Sequence, residues 1–255
     1  MSLVELAALK RLPRHQYTDR ATVRWIVANR PDFTDRPALR PPLRPASLRL
    51  LARSAVPAGW WAEARTAESL HGTRHAMRTA ALAAMLAERT GLGEDETADL
   101  VLAAAVHDCR RLHDQDDRGH GRRAAAWLTE RADQVWAHFH LTAAPHRVVR
   151  AATAIRLHDV PYSAFTSGDT ADHARAARVC DLLKAADALD RYRLPKLSWW
   201  PDPAHVRIRP DVFDRLRATA FDLVVRSETA RLAGCDSGHA VLRALEPLDL
   251  RELLA

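Results

Sequence analysis

AAAVHDCRRLHDQDDRGHG, residues 103–121, runs from alanine and valine into three histidines and four aspartates packed within its last fifteen positions. The apolar half reads as the end of a buried helix: alanine propagates helices well, and nothing here alternates with the period of two that a strand requires. The polar half places metal-ligand side chains where that helix stops. An unpaired carboxylate there would be costly to desolvate or would protonate, whereas a bound cation satisfies it directly.

Outward from this stretch the helical pattern continues on both sides, and glycine is scarce at nine of 255 residues. Helices are expected over about 3–11, 19–29, 47–55, 59–89, 94–108, 119–131, 145–158, 171–190, 211–232 and 238–246. Thr18 or Asp19 would cap the second, and Gly91 and Gly93 mark a break before the fifth. The fold class is therefore all-α. PDFTDRPALRPPLRP, residues 31–45, carries five prolines and cannot sustain a helix. Residues 1–45 read as a helical and proline-rich appendage, or as a strap wrapping the main body, and residues 46–255 as one helical catalytic domain.

Composition narrows the setting. Lys+Arg exceed Asp+Glu by 38 to 32, but Lys10, Lys184 and Lys196 are the only lysines, and the arginines are spread along the chain among acids. That dispersal argues against nucleic acid as a partner, which needs clustering on one face. Cys109, Cys180 and Cys235 are odd in number and far apart, as in reduced cytosolic proteins. Glu5 and Lys10 interrupt the first apolar stretch, so no signal peptide is expected, and no run approaches a membrane span. A soluble cytoplasmic protein follows, with no membrane partner; a homo-oligomer is compatible with these features.

Other segments add chemistry to the opening stretch. SLHGTRHAMRT places His71, His75 and Arg78 four and three residues apart, one face of the expected long helix. His107 and Asp108 follow a run too apolar to face water; His120 begins a helix, His158 ends one, and Asp187 sits among apolar neighbours in LLKAADALDR. Imidazole with carboxylate and no thiolate suits manganese, iron, cobalt, nickel or magnesium better than a structural zinc. A solvated polar stripe is the competing reading for the His71–His75 pair taken alone.

The ordered set His75, His107-Asp108, Asp187 resembles the HD-domain superfamily of metal-dependent phosphohydrolases over roughly residues 65–225. HGTRH, HDCRRLHDQDDRGHG and LKAADALDR are similar to the strings of one bacterial subgroup of HD proteins. The resemblance implies an HD-type helical bundle with His75, His107, Asp108 and Asp187 on one divalent ion. His120 and His158, with Asp108 bridging, would hold a second. Two departures limit the activity: HDCRR replaces the His-Asp-x-x-Glu-Asp string of guanosine tetraphosphate hydrolases, and no Gly-Tyr-Pro follows the helix bearing His158.

The expected function is hydrolysis of a small phosphorylated metabolite or nucleotide by metal-activated hydroxide, as phosphatase or phosphodiesterase. Asp108 would be central, Asp114 or Asp117 would protonate the leaving group or orient water, and His71 would act as acid, metal-shell extension or ligand support. Arg78, Arg111 and Lys184 are candidate substrate-binding residues, each equally able to neutralise a nearby acid such as Asp190. His113, His138, His140 and His146 match no spacing and are expected at the surface, and the pairs Trp60-Trp61 and Trp199-Trp200 in packing. Alternatives are a diiron HD-domain oxygenase, which uses the same ligands, and a non-catalytic nucleotide-binding regulator. The phosphodiesterase domain of phosphoribosyl-ubiquitinating effectors is similar around HG-x-x-H, with chemistry that does not require a metal.

Overall fold

The computed structural model describes residues 1–34 and 43–246, and within them the chain is all-α, without a strand. The helices are α1 (Leu3–Ala8), α2 (Arg20–Ala28), α3 (Pro45–Leu51), α4 (Thr73–Arg89), α5 (Glu94–Val106) and α6 (His120–Glu130). They continue with α7 (Ala132–His138), α8 (Pro145–Leu157), α9 (Ser167–Leu189), α10 (Pro210–Leu232) and α11 (Ser237–Leu245). No helix is long and apolar enough to cross a membrane.

Helix α4 is the axis of the bundle. Every residue from Arg74 to Ala87 is buried, and α5, α9, α10 and α11 pack around it. Its alanines, together with Ala103, Ala104 and Ala105 of α5, leave little side chain between the two helices, and α5 is buried throughout from Thr97 to Val106. Helix α8 closes the far side of α5, and α6 packs on α8.

The single helix expected over 59–89 is instead two short 3-10 turns, Ala58–Trp60 and Ala64–Glu68, followed by α4. Thr66 Oγ1 donates to Glu63 O and Ser69 Oγ to Thr66 O, so local side-chain bonds compete with helix there. Gly72 then caps α4 where a Cβ would lie 2.3 Å from Ala67 O, a close approach open only to glycine. His71 consequently precedes α4 rather than sharing a helical face with His75. Helix α7 was not expected: seven residues separated from α6 by Arg131 alone, with no proline or glycine at the break, give little periodic signal.

Of the two arrangements left open for the N-terminal region, residues 1–34 lie along the main body. Asp19 caps α2 by accepting from Thr22 N, α2 packs on α10, and Trp25 meets Trp200 edge to face at 5.7 Å. The proline-rich reading falls largely on residues 35–42, outside the described residues.

Candidate metal centre

The histidines and acids converge where the helices end. His107 is the C-cap of α5, His158 the C-cap of α8, His120 the first residue of α6, His75 lies in the first turn of α4, and Asp187 in the last turn of α9. Helix termini leave backbone carbonyls without partners, and two of these histidines use them. His107 Nδ1 donates to Ala104 O at 2.7 Å and His158 Nδ1 to Ile155 O at 2.6 Å. His120 Nδ1 donates to Asp117 O at 2.8 Å, and His75 Nδ1 to the Asp190 carboxylate at 2.8 Å.

Each acceptor is an oxygen that can only accept, so each Nδ1 carries a proton and each ring turns its Nε2 inward, the atom left bare in the neutral tautomer this fixes. The inward atoms pair off: His75 Nε2 lies 3.1 Å from His107 Nε2, and His120 Nε2 3.0 Å from His158 Nε2. Asp108 spans the two pairs. Its Oδ2 is 3.5 Å from His75 Nε2 and 3.0 Å from His71 Nδ1, while its Oδ1 is 3.0 Å from His120 Nε2 and 3.5 Å from His158 Nε2. Asp187 Oδ1 approaches His75 Nε2 to 3.3 Å.

Two features fit a divalent cation. Lone pairs facing lone pairs repel unless a positive charge lies between them, and about 3 Å is the spacing of adjacent ligands on an octahedral ion with bonds near 2.1 Å. Asp108 Oδ1, moreover, is buried without a hydrogen-bond partner. Three groups, His71-His75-Asp108, His75-His107-Asp187 and His107-Asp108-His158, each bring their ligand atoms within 4.8 Å of one another. His120 lies beside the last of these. The carboxylates are ready as anions: burial works to raise Asp108, but Arg111, His107 and His120 hold it well below the usual range. Asp187 is likewise lowered against its burial by His75, His107 and Arg193. Burial pushes the His107 imidazole down to about 3, which leaves it neutral as a ligand requires.

Close approach of α6 to α8 depends on Gly121. A Cβ there would sit 2.6 Å from Ile155 O and 3.0 Å from His158 Nδ1, so only glycine lets His120 and His158 meet.

The cluster opens onto a 970 Å³ cavity lined by His71, Asp108, His120, His158 and Asp187, with Arg111, Arg118, Arg191 and Arg193 among its walls. Arg111 reaches His120 Nε2 at 3.2 Å, and Arg193 reaches His71 Nδ1 at 3.2 Å and His75 Nε2 at 3.4 Å. Arg193 carries no sequence motif of its own; its position, six residues after Asp187 just beyond α9, is the signal that could have found it. Asp159, next to His158, and Trp199 also line the cavity.

Of the remaining expected residues, Arg78 and Lys184 do not line the cavity, whereas Asp114 and Asp117 do, each held by hydrogen bonds within the chain. Arg78 is fully buried and paired with Asp190 at 2.6 Å and Glu228 at 2.8 Å, away from the cavity. Lys184 Nζ donates to His158 O and Val160 O at 2.8 and 2.7 Å, and burial draws its ammonium down to about 8. Asp114 accepts from Gln16 N, Ser69 Oγ and His71 N. Asp117 accepts from Leu112 N at 2.7 Å and from Arg123 through both carboxylate oxygens. His113 is half-buried rather than at the surface; His140 and His146 are exposed, and His138 packs on Trp60 at 5.0 Å. Comparison of this chain with protein-family models, with curated proteins and with solved structures gave no match.

Proposed function

We propose that the chain is a metal-dependent phosphoric ester hydrolase of the HD-domain type, acting in the cytoplasm on a small phosphorylated metabolite or nucleotide. The observation that carries this reading is the set of four imidazoles, each fixed through Nδ1, whose Nε2 atoms meet in pairs across Asp108 at the floor of an arginine-lined cavity. His75, His107, Asp108 and Asp187 would hold one ion, and Asp108, His120 and His158 a second. Divalent ions bound there supply Lewis-acid polarisation of a phosphoryl oxygen and lower the pKa of water.

The chain's own groups supply the rest. Arg111 and Arg193 present planar N–H donors beside the two flanks of Asp108, a geometry matched to phosphate oxygens. Burial and Arg111 hold His71 well below its ordinary pKa and so keep it neutral; with Nδ1 directed at Asp108, it is suited to orient a water or ligand by hydrogen bonding. Asp114 and Asp117, occupied by the hydrogen bonds above, shape the loop between His107 and His120.

Metal analysis of the purified protein, joined to a panel of phosphomonoesters and diesters with and without chelator, tests this. Chelator-sensitive phosphate release is the expected outcome. Iron with dioxygen-dependent turnover would instead indicate the diiron oxygenase, and nucleotide capture without turnover a regulator.

A further inference from the structure

Residues 12–17 lie outside the expected catalytic domain, yet they form one wall of its cavity. Leu12 and Gln16 both line it. The segment is fastened at four points: Gln115 Nε2 donates to Leu12 O at 2.9 Å, Asp114 N to Arg14 O at 2.9 Å, Leu70 N to Gln16 O at 2.8 Å, and Gln16 N to Asp114 Oδ2 at 2.8 Å. The other oxygen of Asp114 accepts from Ser69 Oγ at 2.7 Å and His71 N at 3.2 Å. One carboxylate therefore joins the strap to the loop carrying His71.

With its backbone N–H and C=O both used, Gln16 is 4% exposed, and its side-chain amide has no hydrogen-bond partner among the described residues. An amide that lines a cavity and is not tied up within the chain is free to hydrogen-bond whatever enters it. Leu12, Val160, Pro161, Leu194 and Trp199 surround the same space with apolar surface. The phosphate-directed arginines stand near Asp108, so Gln16 and these apolar residues are left for the organic part of a substrate.

We infer that the strap Leu12–Tyr17 is the specificity-determining wall of the site, with the Gln16 amide binding the polar edge of a substrate's organic group while Leu12, Leu194 and Trp199 cover its flat apolar face. This rests on the hydrolase reading for the phosphate but not for the organic group, and the two can fail separately. Asp114 is a positioning residue in this arrangement, holding strap and His71 loop in register.

Isothermal titration of the full-length protein as purified, with adenosine, uridine and inorganic phosphate as separate probes, tests it. At least one nucleoside should bind the wild type. Gln16→Leu should weaken that binding about tenfold, the effect of one lost hydrogen bond to a buried amide, and leave phosphate affinity within about twofold. Nucleoside affinity unchanged in Gln16→Leu, or no nucleoside binding by the wild type, would overturn the inference. Nucleoside binding without phosphate binding would instead undo the hydrolase reading and leave this one standing. Asp114→Ala provides a second readout: trypsin should cut after the exposed Arg14 about tenfold faster, and unchanged protection would show that Asp114 does not hold the strap.

Discussion

Two buried polar clusters share helix α4, and His75 belongs to both. On its Nδ1 side, three arginines, Arg74, Arg78 and Arg193, are paired with three carboxylates, Glu68, Asp190 and Glu228. Asp190 accepts from Arg78 and His75, Glu228 accepts from Arg74 and Arg78, and the arginines' remaining donors reach Ser227 and Ser237. On its Nε2 side, imidazole nitrogens face one another in pairs, with arginine donors reaching only His120 and His75, and Asp108 Oδ1 is buried without a hydrogen-bond partner. The first cluster satisfies itself and ties α4 to α10 and to the N-terminus of α11. The second leaves ligand atoms turned toward one another, an arrangement that could hold a metal ion. Burial and charge alone do not separate a structural cluster from a functional one; the balance of donors and acceptors does.

The sharpest way to break this contrast is Asp108→Ala. It should reduce bound metal to background and abolish turnover, read by elemental analysis and the phosphate-release assay. Its urea-unfolding free energy should fall by no more than about 1–2 kcal/mol relative to the metal-free wild type, because the carboxylate gives up a single hydrogen bond, from His71 to Oδ2, while its Oδ1 has none. A large loss of stability would mean that the open cluster is structural after all.

Arg78→Met probes the closed cluster and should do the reverse. It strands Asp190 and Glu228 in the interior and should cost about 3–5 kcal/mol in urea unfolding. Asp190→Asn sits on the boundary: the amide still accepts from His75 but no longer holds it by charge. Metal affinity should fall about 10–100-fold in a competition titration against a chromophoric chelator, with helix content unchanged.

The smallest expected effect is on acid stability. Burial raises the Glu228 carboxyl, but Arg74 and Arg78 outweigh it and lower its pKa below the usual 4.5. Its stabilisation is therefore present above that value and is lost as pH falls through the lowered folded-state pKa. Glu228→Gln should be less stable than wild type at neutral pH and show a shallower decline in unfolding midpoint below pH 4.5. A decline parallel to wild type would assign the acid sensitivity to other groups.

The all-α class and the membership of the His/Asp cluster were legible in the sequence because both depend on local spacing. His107-Asp108, His120 and His158 fall at helix ends that an alanine-rich pattern and nearby polar residues mark. The remainder depends on which segments meet in three dimensions. Asp190 could be seen as an acid near arginines but not as the anchor of His75, 115 residues away. The contact of Gln16 with Asp114 spans 98 residues and involves a backbone N–H that every non-proline residue carries, so no residue type announces it. The break before α4 was missed because side-chain-to-backbone bonds at Thr66 and Ser69 overrode an otherwise helix-compatible composition.

Gly121 gives the width of the metal hollow an unusual dependence: it is gauged by an atom that is not there. A single methyl at that position would act as a shim driven between α6 and α8, spreading His120 from His158 without altering any histidine or aspartate of the cluster. Alanine at 121 is thus a genetic screw that loosens one half of the centre and spares the half around His75 and His107.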